Sequence, residues 1–273
     1  MYMETTTTGV RAVIFDISGT VMDFGSRGPV AAFVELFGRH GVAITEAEAR
    51  APMGKHKLDH VWALLTNPEV AERWREAHGI LPDRLTLDAL YAGFGPLQVE
   101  VLKSYMDLLP GVAEVTGELR ARGIRIGSTT GFESGMMGDL KVAAAAQGYV
   151  PECWVTPDLT GGGRPAPWMI YYAARQLGVY PLRTFVKVGD TPADIGEALN
   201  AGTWAVSVVR TGNEIGLSEK QLEELPEEER TARFRVAREK FFALGAHYVI
   251  DSVAALLPVI DAISARIEQG ERP

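Results

Sequence analysis

The chain has 273 residues, 47% of them hydrophobic and 23% charged, an ordinary globular composition long enough for one large domain or a core with a smaller module. Its 27 Lys and Arg against 35 Asp and Glu leave a net charge of −8, which argues against a nucleic-acid partner, since such binders carry a basic footprint. A single cysteine, Cys153, cannot close an internal disulfide and fits a reducing cytoplasm, and no apolar run is long enough to cross a bilayer, so no membrane partner is expected.

Met1 to Thr8 has no basic stretch followed by an apolar one and does not read as a signal peptide. Its Thr5–Thr8 run reads as a frayed end. Arg11 to Asp16 is a short apolar run closing in an acid, the pattern of a strand buried on both faces of a parallel sheet. From about Met22 to Ser104 no strand pattern occurs; Thr45 and Glu48 form a capping box, and Pro52, Pro68, Pro82 and Pro96 punctuate helical segments. This stretch reads as a helical module inserted after the first strand, with linkers near 22–28 and 101–110. Strand patterns return at Ile124–Thr130, Phe185–Asp190, Trp204–Val209 and His247–Ile250. Between them lie helices stopped by Gly123, Gly178 and Gly202. The acidic run Glu223–Glu229 reads as a solvated face. The fold class is therefore α/β, a Rossmann-like parallel sheet with an all-helical insertion: core 1–21, helical cap 22–104, core 105–273.

In such sheets ligands sit beyond the carboxyl ends of the strands. Three strands end there in Asp16, Thr129-Thr130 and Asp190. One such acid more often caps the next helix. Two acids, with a tight Ser18-Gly19-Thr20 turn and the Gly189-Asp190-Thr191-x-x-Asp194 spacing, suit a hard cation such as Mg²⁺, which favours carboxylate oxygens, water and substrate phosphate. A carboxylate beside it can attack phosphorus.

These residues resemble the haloacid dehalogenase superfamily. Asp16-x-Ser18-Gly19-Thr20 matches its nucleophile motif, Thr130 its phosphate-binding hydroxyl and Gly189-Asp190-x-x-x-Asp194 its metal motif. Within it, Pro52-Met53-Gly54-x-x-Lys57-x-Asp59-His60, Gly127-Ser-Thr-Thr-Gly131 and Gly163-Arg164-Pro165-x-Pro167-Trp168-Met169 are similar to the phosphonatase family over nearly the whole chain. The resemblance implies an enzyme that hydrolyses the phosphorus–carbon bond of a small phosphonate, phosphonoacetaldehyde, with Mg²⁺. Metal ligands would be Asp16, Ser18 through its carbonyl, Asp190 and Asp194. Substrate contacts would come from Thr130, Gly131 and Met53. A homodimer formed through the cap is also implied. Val30, Phe33, Val34 and Phe37 can supply that face, or can pack inside the cap.

The usual phosphatase acid two residues after the nucleophile is replaced by Ser18. Breaking a phosphorus–carbon bond leaves no alkoxide to protonate; the carbon must instead shed electrons, and a lysine imine can accept them. Lys57 is the expected imine-forming residue, provided its amine is neutral near pH 7. His60, one helical turn on, shares its face and is expected to move protons. Arg164, after Gly161-Gly162-Gly163, is expected on the phosphoryl oxygens as a planar fork. Against the phosphonatase pattern, Ser18 stands for Ala and Phe132 for Tyr, so no aromatic hydroxyl is available at 132. An ester phosphatase or mutase of the superfamily and a non-catalytic phosphate sensor remain alternatives.

Overall fold

The computed structural model describes residues 9–273, so the readings of Met1–Thr8 lie outside the described residues. Strand β1 (Ala12–Phe15) is followed by five helices: α1 (Arg27–Arg39), α2 (Glu46–Arg50), α3 (Lys57–Leu65), α4 (Pro68–His78) and α5 (Arg84–Leu102). The chain then alternates: α6 (Val112–Ala121), β2 (Arg125–Thr129), α7 (Gly138–Ala146), β3 (Cys153–Val155), α8 (Pro157–Thr160), α9 (Trp168–Leu177), β4 (Phe185–Gly189), α10 (Pro192–Ala201), β5 (Trp204–Val208), α11 (Glu219–Glu224), α12 (Glu227–Ala243), β6 (Tyr248–Ile250) and α13 (Leu256–Glu268).

The six strands form one parallel sheet in the order β3-β2-β1-β4-β5-β6. Alternate residues feed opposite layers. Val13 and Phe15 join Val186 and Val188 against α6 and α13, while Ala12, Ile14 and Phe185 pack under α9. Strand β3 was not anticipated: three residues, Cys-Trp-Val, are too few to show a period. The acidic run 223–229 closes α11 and opens α12, with its glutamates in water. The free thiol of Cys153 is buried, and among the described residues no helix is long and apolar enough to cross a membrane.

Helices α1–α5 enclose an apolar cluster of their own, including Phe33, Phe37, Val61, Leu64, Leu65 and Phe94. Each such side chain contributes roughly 1.5–3 kcal/mol on burial. The capping box forms as the sequence requires, with Glu48 N–H donating to Thr45 Oγ1 and Thr45 N–H to Glu48 Oε2. Val30, Phe33 and Phe37 are spent in this cluster, and only Val34 is partly exposed. These four residues therefore do not make an apolar outer face for a second copy. Arg50 at the end of α2 ties the cap down: its guanidinium donates to the carbonyls of Gly25 (2.8 Å) and Gly216 (2.8 Å).

Candidate active site

The strand order reverses direction at β1, so the ends of β2, β1 and β4 lie side by side. That is where an open α/β sheet leaves a crevice. Asp16 follows β1, Thr130 follows β2 and Asp190 follows β4, so residues over a hundred positions apart become neighbours. The turn after Asp16 must run close to Asp190: Gly19 has φ +79, and a Cβ there would fall 2.2 Å from Asp190 Oδ2. From above, the cap lowers Met53-Gly54 and the first turn of α3 onto the same opening. Gly54 has φ +89 and a Cβ there would stand 2.4 Å from Thr191 Oγ1, at the N-cap of α10. Core and cap together wall a narrow cleft.

Of the residues expected from sequence, Asp16, Ser18, Thr130, Gly131, Arg164 and Asp190 line this cleft from the core, and Met53 and Lys57 from the cap. Lys57 is 3% exposed, with Nζ 5.3 Å from the Phe33 ring centre and 5.0 Å from that of Phe132. Burial pushes its amine down from the ordinary 10.5 to about 8. The Arg164 charge acts the same way, while Asp16 and Asp23 oppose it. Its place in the first turn of α3, the positive end of the helix, also disfavours an ammonium.

His60 is not in the cleft lining. Its ring is fully buried and stacks on Phe33 at 3.8 Å, with Nε2 2.8 Å from the Ala49 carbonyl. A carbonyl only accepts, so Nε2 carries the hydrogen and Nδ1, which has no partner, carries the lone pair. Burial, reinforced by Lys57, holds this imidazole well below the usual histidine range, hence neutral.

Asp194 lies behind the cleft. Its Oδ2 accepts from Thr191 Oγ1 (2.6 Å), and Oδ1 is 3.0 Å from both Arg164 Nη1 and Lys187 Nζ. Against the cost of burial, those two cations hold its carboxyl below the usual range. Arg164 Nη2 reaches Asp16 Oδ1 at 2.7 Å. Asp190 accepts from Asn213 N–H at 2.8 Å.

Single oxygens of Asp16, Asp190 and Asp194 lie within 4.8 Å of one another. Burial and the neighbouring carboxylates raise the pKa of both Asp16 and Asp190, the behaviour of a site short of positive charge. With Glu197, four buried carboxylates face two buried cations, Arg164 and Lys187. One divalent cation cancels that excess when the Lys57 amine is neutral, and the all-oxygen donor set suits a hard ion. The site fits a divalent metal.

Sequence reasoning missed Lys187 and Glu197 as site residues and named Thr129 only as part of a strand end. A signal existed for the first two. Lys187 is the one charged residue within the apolar strand Phe-Val-Lys-Val-Gly, and Glu197 follows Asp194 by three residues, hence on the same helix face. It also missed a contact between cap and core at the rim, where Glu133 accepts from Tyr91 and lies 3.5 Å from His56 Nε2.

A family model for haloacid dehalogenase-like hydrolases matches residues 10–202. A phosphonoacetaldehyde hydrolase of Paraburkholderia phytofirmans is 47% identical over 97% of this chain and 99% of its own length. One from Bacillus cereus is 42% identical over 96% and 98%. The crystal structure of a phosphonoacetaldehyde hydrolase-like protein from Oleispira antarctica superposes with a TM-score of 0.95 at 38% identity, covering all of both chains. With this agreement over the full length, the chain belongs to the haloacid dehalogenase-like hydrolases, in the phosphonoacetaldehyde hydrolase family.

Proposed function

We infer that the protein hydrolyses phosphonoacetaldehyde to acetaldehyde and orthophosphate, using a Lys57 imine and a phosphoryl group carried on Asp16. The observation that carries this reading is Lys57: an amine buried between two aromatic rings, with its pKa brought to about 8, in the same cleft as Asp16. An ester phosphatase, a mutase or a phosphate sensor has no use for such an amine, and Ser18 offers none of the acid an ester phosphatase needs.

The neutral amine of Lys57 adds to the aldehyde carbon and expels water, leaving an imine whose protonated form accepts an electron pair. His60, neutral and with an unpartnered Nδ1 on the same helix but outside the cleft lining, would serve this proton transfer only through an intervening water. Met53 and Phe132 keep bulk water from the imine. Asp16 attacks phosphorus in line while Thr130, the backbone at Gly131 and Arg164 hold the phosphoryl oxygens. The phosphorus–carbon pair moves into the imine, giving an enamine on Lys57 and a phosphoryl group on Asp16. Protonation at carbon and hydrolysis release acetaldehyde; a second water frees orthophosphate and restores the carboxylate. Asp16, Asp190 and the Ser18 carbonyl, with Asp194 as third carboxylate, would hold Mg²⁺, which supplies charge neutralisation at the phosphoryl oxygens. The domain division 1–21, 22–104 and 105–273 puts Lys57 on the cap and Asp16 on the core, so closure assembles the site. A cytoplasmic setting suits the one free thiol, and a cap-mediated homodimer would use surfaces other than the buried α1 face.

The test is borohydride reduction in the presence of phosphonoacetaldehyde, followed by peptide mapping. The expected product is an N-ethyl group on Lys57, formed after the carbon–phosphorus bond has broken. Turnover retained in Lys57→Arg, or reduction that modifies no lysine, overturns the reading.

A further inference from the structure

Beneath the cleft, on the side of the sheet covered by α9 and α10, lies a charged cluster of which the mechanism above leaves Lys187 and Glu197 without a role. Lys187 sits mid-strand in β4. Val186 and Val188 point into the main core, so Lys187 points to the opposite layer, where it is 1% exposed. Its Nζ donates to Thr129 Oγ1 (2.8 Å) and lies 3.0 Å from Asp194 Oδ1 and 3.4 Å from Glu197 Oε2. Glu197, on α10, is fully buried. Its Oε2 accepts from Arg164 Nε (3.0 Å) and from Thr129 Oγ1 (3.1 Å). Arg164 Nη2 donates in turn to the Thr129 carbonyl (2.7 Å) and hydroxyl (3.0 Å). The Thr129 hydroxyl thus donates once and accepts twice, its full capacity.

Stability does not explain this arrangement, because replacing a buried ion pair by apolar groups is often neutral or stabilising. Orientation does. A guanidinium held only at its Nη atoms can pivot; Glu197 grips the Nε edge, so the Nη edge has one direction left, toward Asp16 and Asp194. Without Lys187, Arg164 alone would face Asp16, Asp194 and Glu197.

We propose that Glu197 and Lys187 are positioning residues for phosphoryl transfer. Glu197 fixes the plane of the Arg164 guanidinium, and Lys187 neutralises Glu197 and Asp194 so that the forward edge of Arg164 stays available to the phosphoryl oxygens. This rests on the functional reading above, but it makes a separate demand. Arg164 bears on imine formation at Lys57 only through its charge, which these variants keep, so defects here spare it.

The experiment compares Glu197→Gln, Glu197→Leu and Lys187→Met in the full-length protein, with three readouts: steady-state kcat and KM, inhibition by orthophosphate, and borohydride trapping at Lys57. Glu197→Leu, which loses the acceptor for Nε, should lower kcat by roughly 100-fold, the scale of a misplaced catalytic group. It should also weaken orthophosphate inhibition and leave total modification of Lys57 at the native level, with the phosphonoethyl adduct of the uncleaved imine replacing part of the N-ethyl product. Glu197→Gln keeps an acceptor of the same shape, should recover part of kcat, and carries the test if the leucine variant does not fold. Lys187→Met should weaken orthophosphate inhibition in the same direction. In an Arg164→Lys background, which has no Nε, Glu197→Gln should cause little further loss. Native kcat and orthophosphate inhibition in the glutamate variants, a lower melting temperature with no kinetic change, or losses that add fully to Arg164→Lys would each overturn the proposal. Failure of the native protein to trap at Lys57 would instead overturn the imine, and orthophosphate inhibition would still decide the role of Glu197.

Discussion

Replacing Lys57 by Met should make the protein inactive and more stable, and the gain should depend on pH in a defined way. The amine ionises near 8 in the folded chain against 10.5 for an unperturbed lysine. Between those values the unfolded chain binds more protons than the folded one, so this group's contribution to stability rises as pH climbs from about 8 to about 10.5. Below pH 8 the folded protein carries the whole cost of burying an ammonium, on the order of 3 kcal/mol. Met matches the length of the side chain and removes that cost. Urea denaturation in EDTA should therefore show Lys57→Met more stable than the native chain by about 3 kcal/mol at pH 7, with the difference shrinking as pH rises through 10 and reaching what packing alone supplies only above about pH 10.5. Equal stabilities at pH 7, or a difference that does not change with pH, would refute the claim that burial is what lowers this pKa. A surviving turnover of phosphonoacetaldehyde would refute the chemistry built on it.

Phe132→Ala opens one wall beside the amine and lets water reach Nζ. The pKa then moves back toward 10.5, and because the neutral amine is the competent form, the acid limb of the pH profile of kcat/KM should shift up by about one pH unit. An unmoved limb would exclude Phe132 from this role. Gly54→Ala places a methyl against Thr191 in a left-handed backbone; strain of about 1–3 kcal/mol should oppose seating of the cap and lower kcat/KM by roughly tenfold or more, and native kinetics would show that the cap need not close so tightly. Adding Mg²⁺ to EDTA-treated protein should raise the melting temperature, by an amount equivalent to about 2.7 kcal/mol at a hundredfold excess over its dissociation constant. Asp190→Asn should lose most of that response, and a full response in the variant would place the ion elsewhere.

How much of this was legible in the sequence depends on range. Strands β1, β2, β4 and β5 announce themselves as short apolar runs. Asp16, Thr130 and Asp190 are legible because each closes such a run, and the sheet then brings the ends together. β3 escapes because three edge residues carry no period. His60 shows the limit of local spacing: residue type and a three-residue step put it on the face of Lys57, but both are buried there, and only the packing of Phe33 and the Ala49 carbonyl decides that the imidazole stays in the cap while the amine reaches the cleft. The same holds for Val30, Phe33 and Phe37, whose apolar spacing fits an outer face or an inner one equally until α5 is laid against α1. The Arg164–Glu197–Thr129 contacts join a loop, a helix and a strand far apart in sequence, so no local pattern could reveal them.

The chain buries two lysines near one cleft and gives them opposite surroundings. Lys187 stands on the core among carboxylates, with Asp194 and Glu197 within ion-pair distance; Lys57 stands on the cap between two phenyl rings, with no such partner in reach among the described residues. Had the reactive amine been carried by the sheet, the carboxylates that the metal site requires would have surrounded it too, and their field favours the ammonium. Carrying it on the cap keeps it out of that carboxylate layer: Phe33 comes with it, and Phe132 meets it from the core. Asp16, whose charge raises its pKa, and Arg164, whose charge lowers it, act on it across the cleft. On the proposed chemistry the insertion is more than a lid that excludes water: it puts two incompatible electrostatic environments on opposite walls of one cleft, and the substrate, bonded to one and held by the other, spans them.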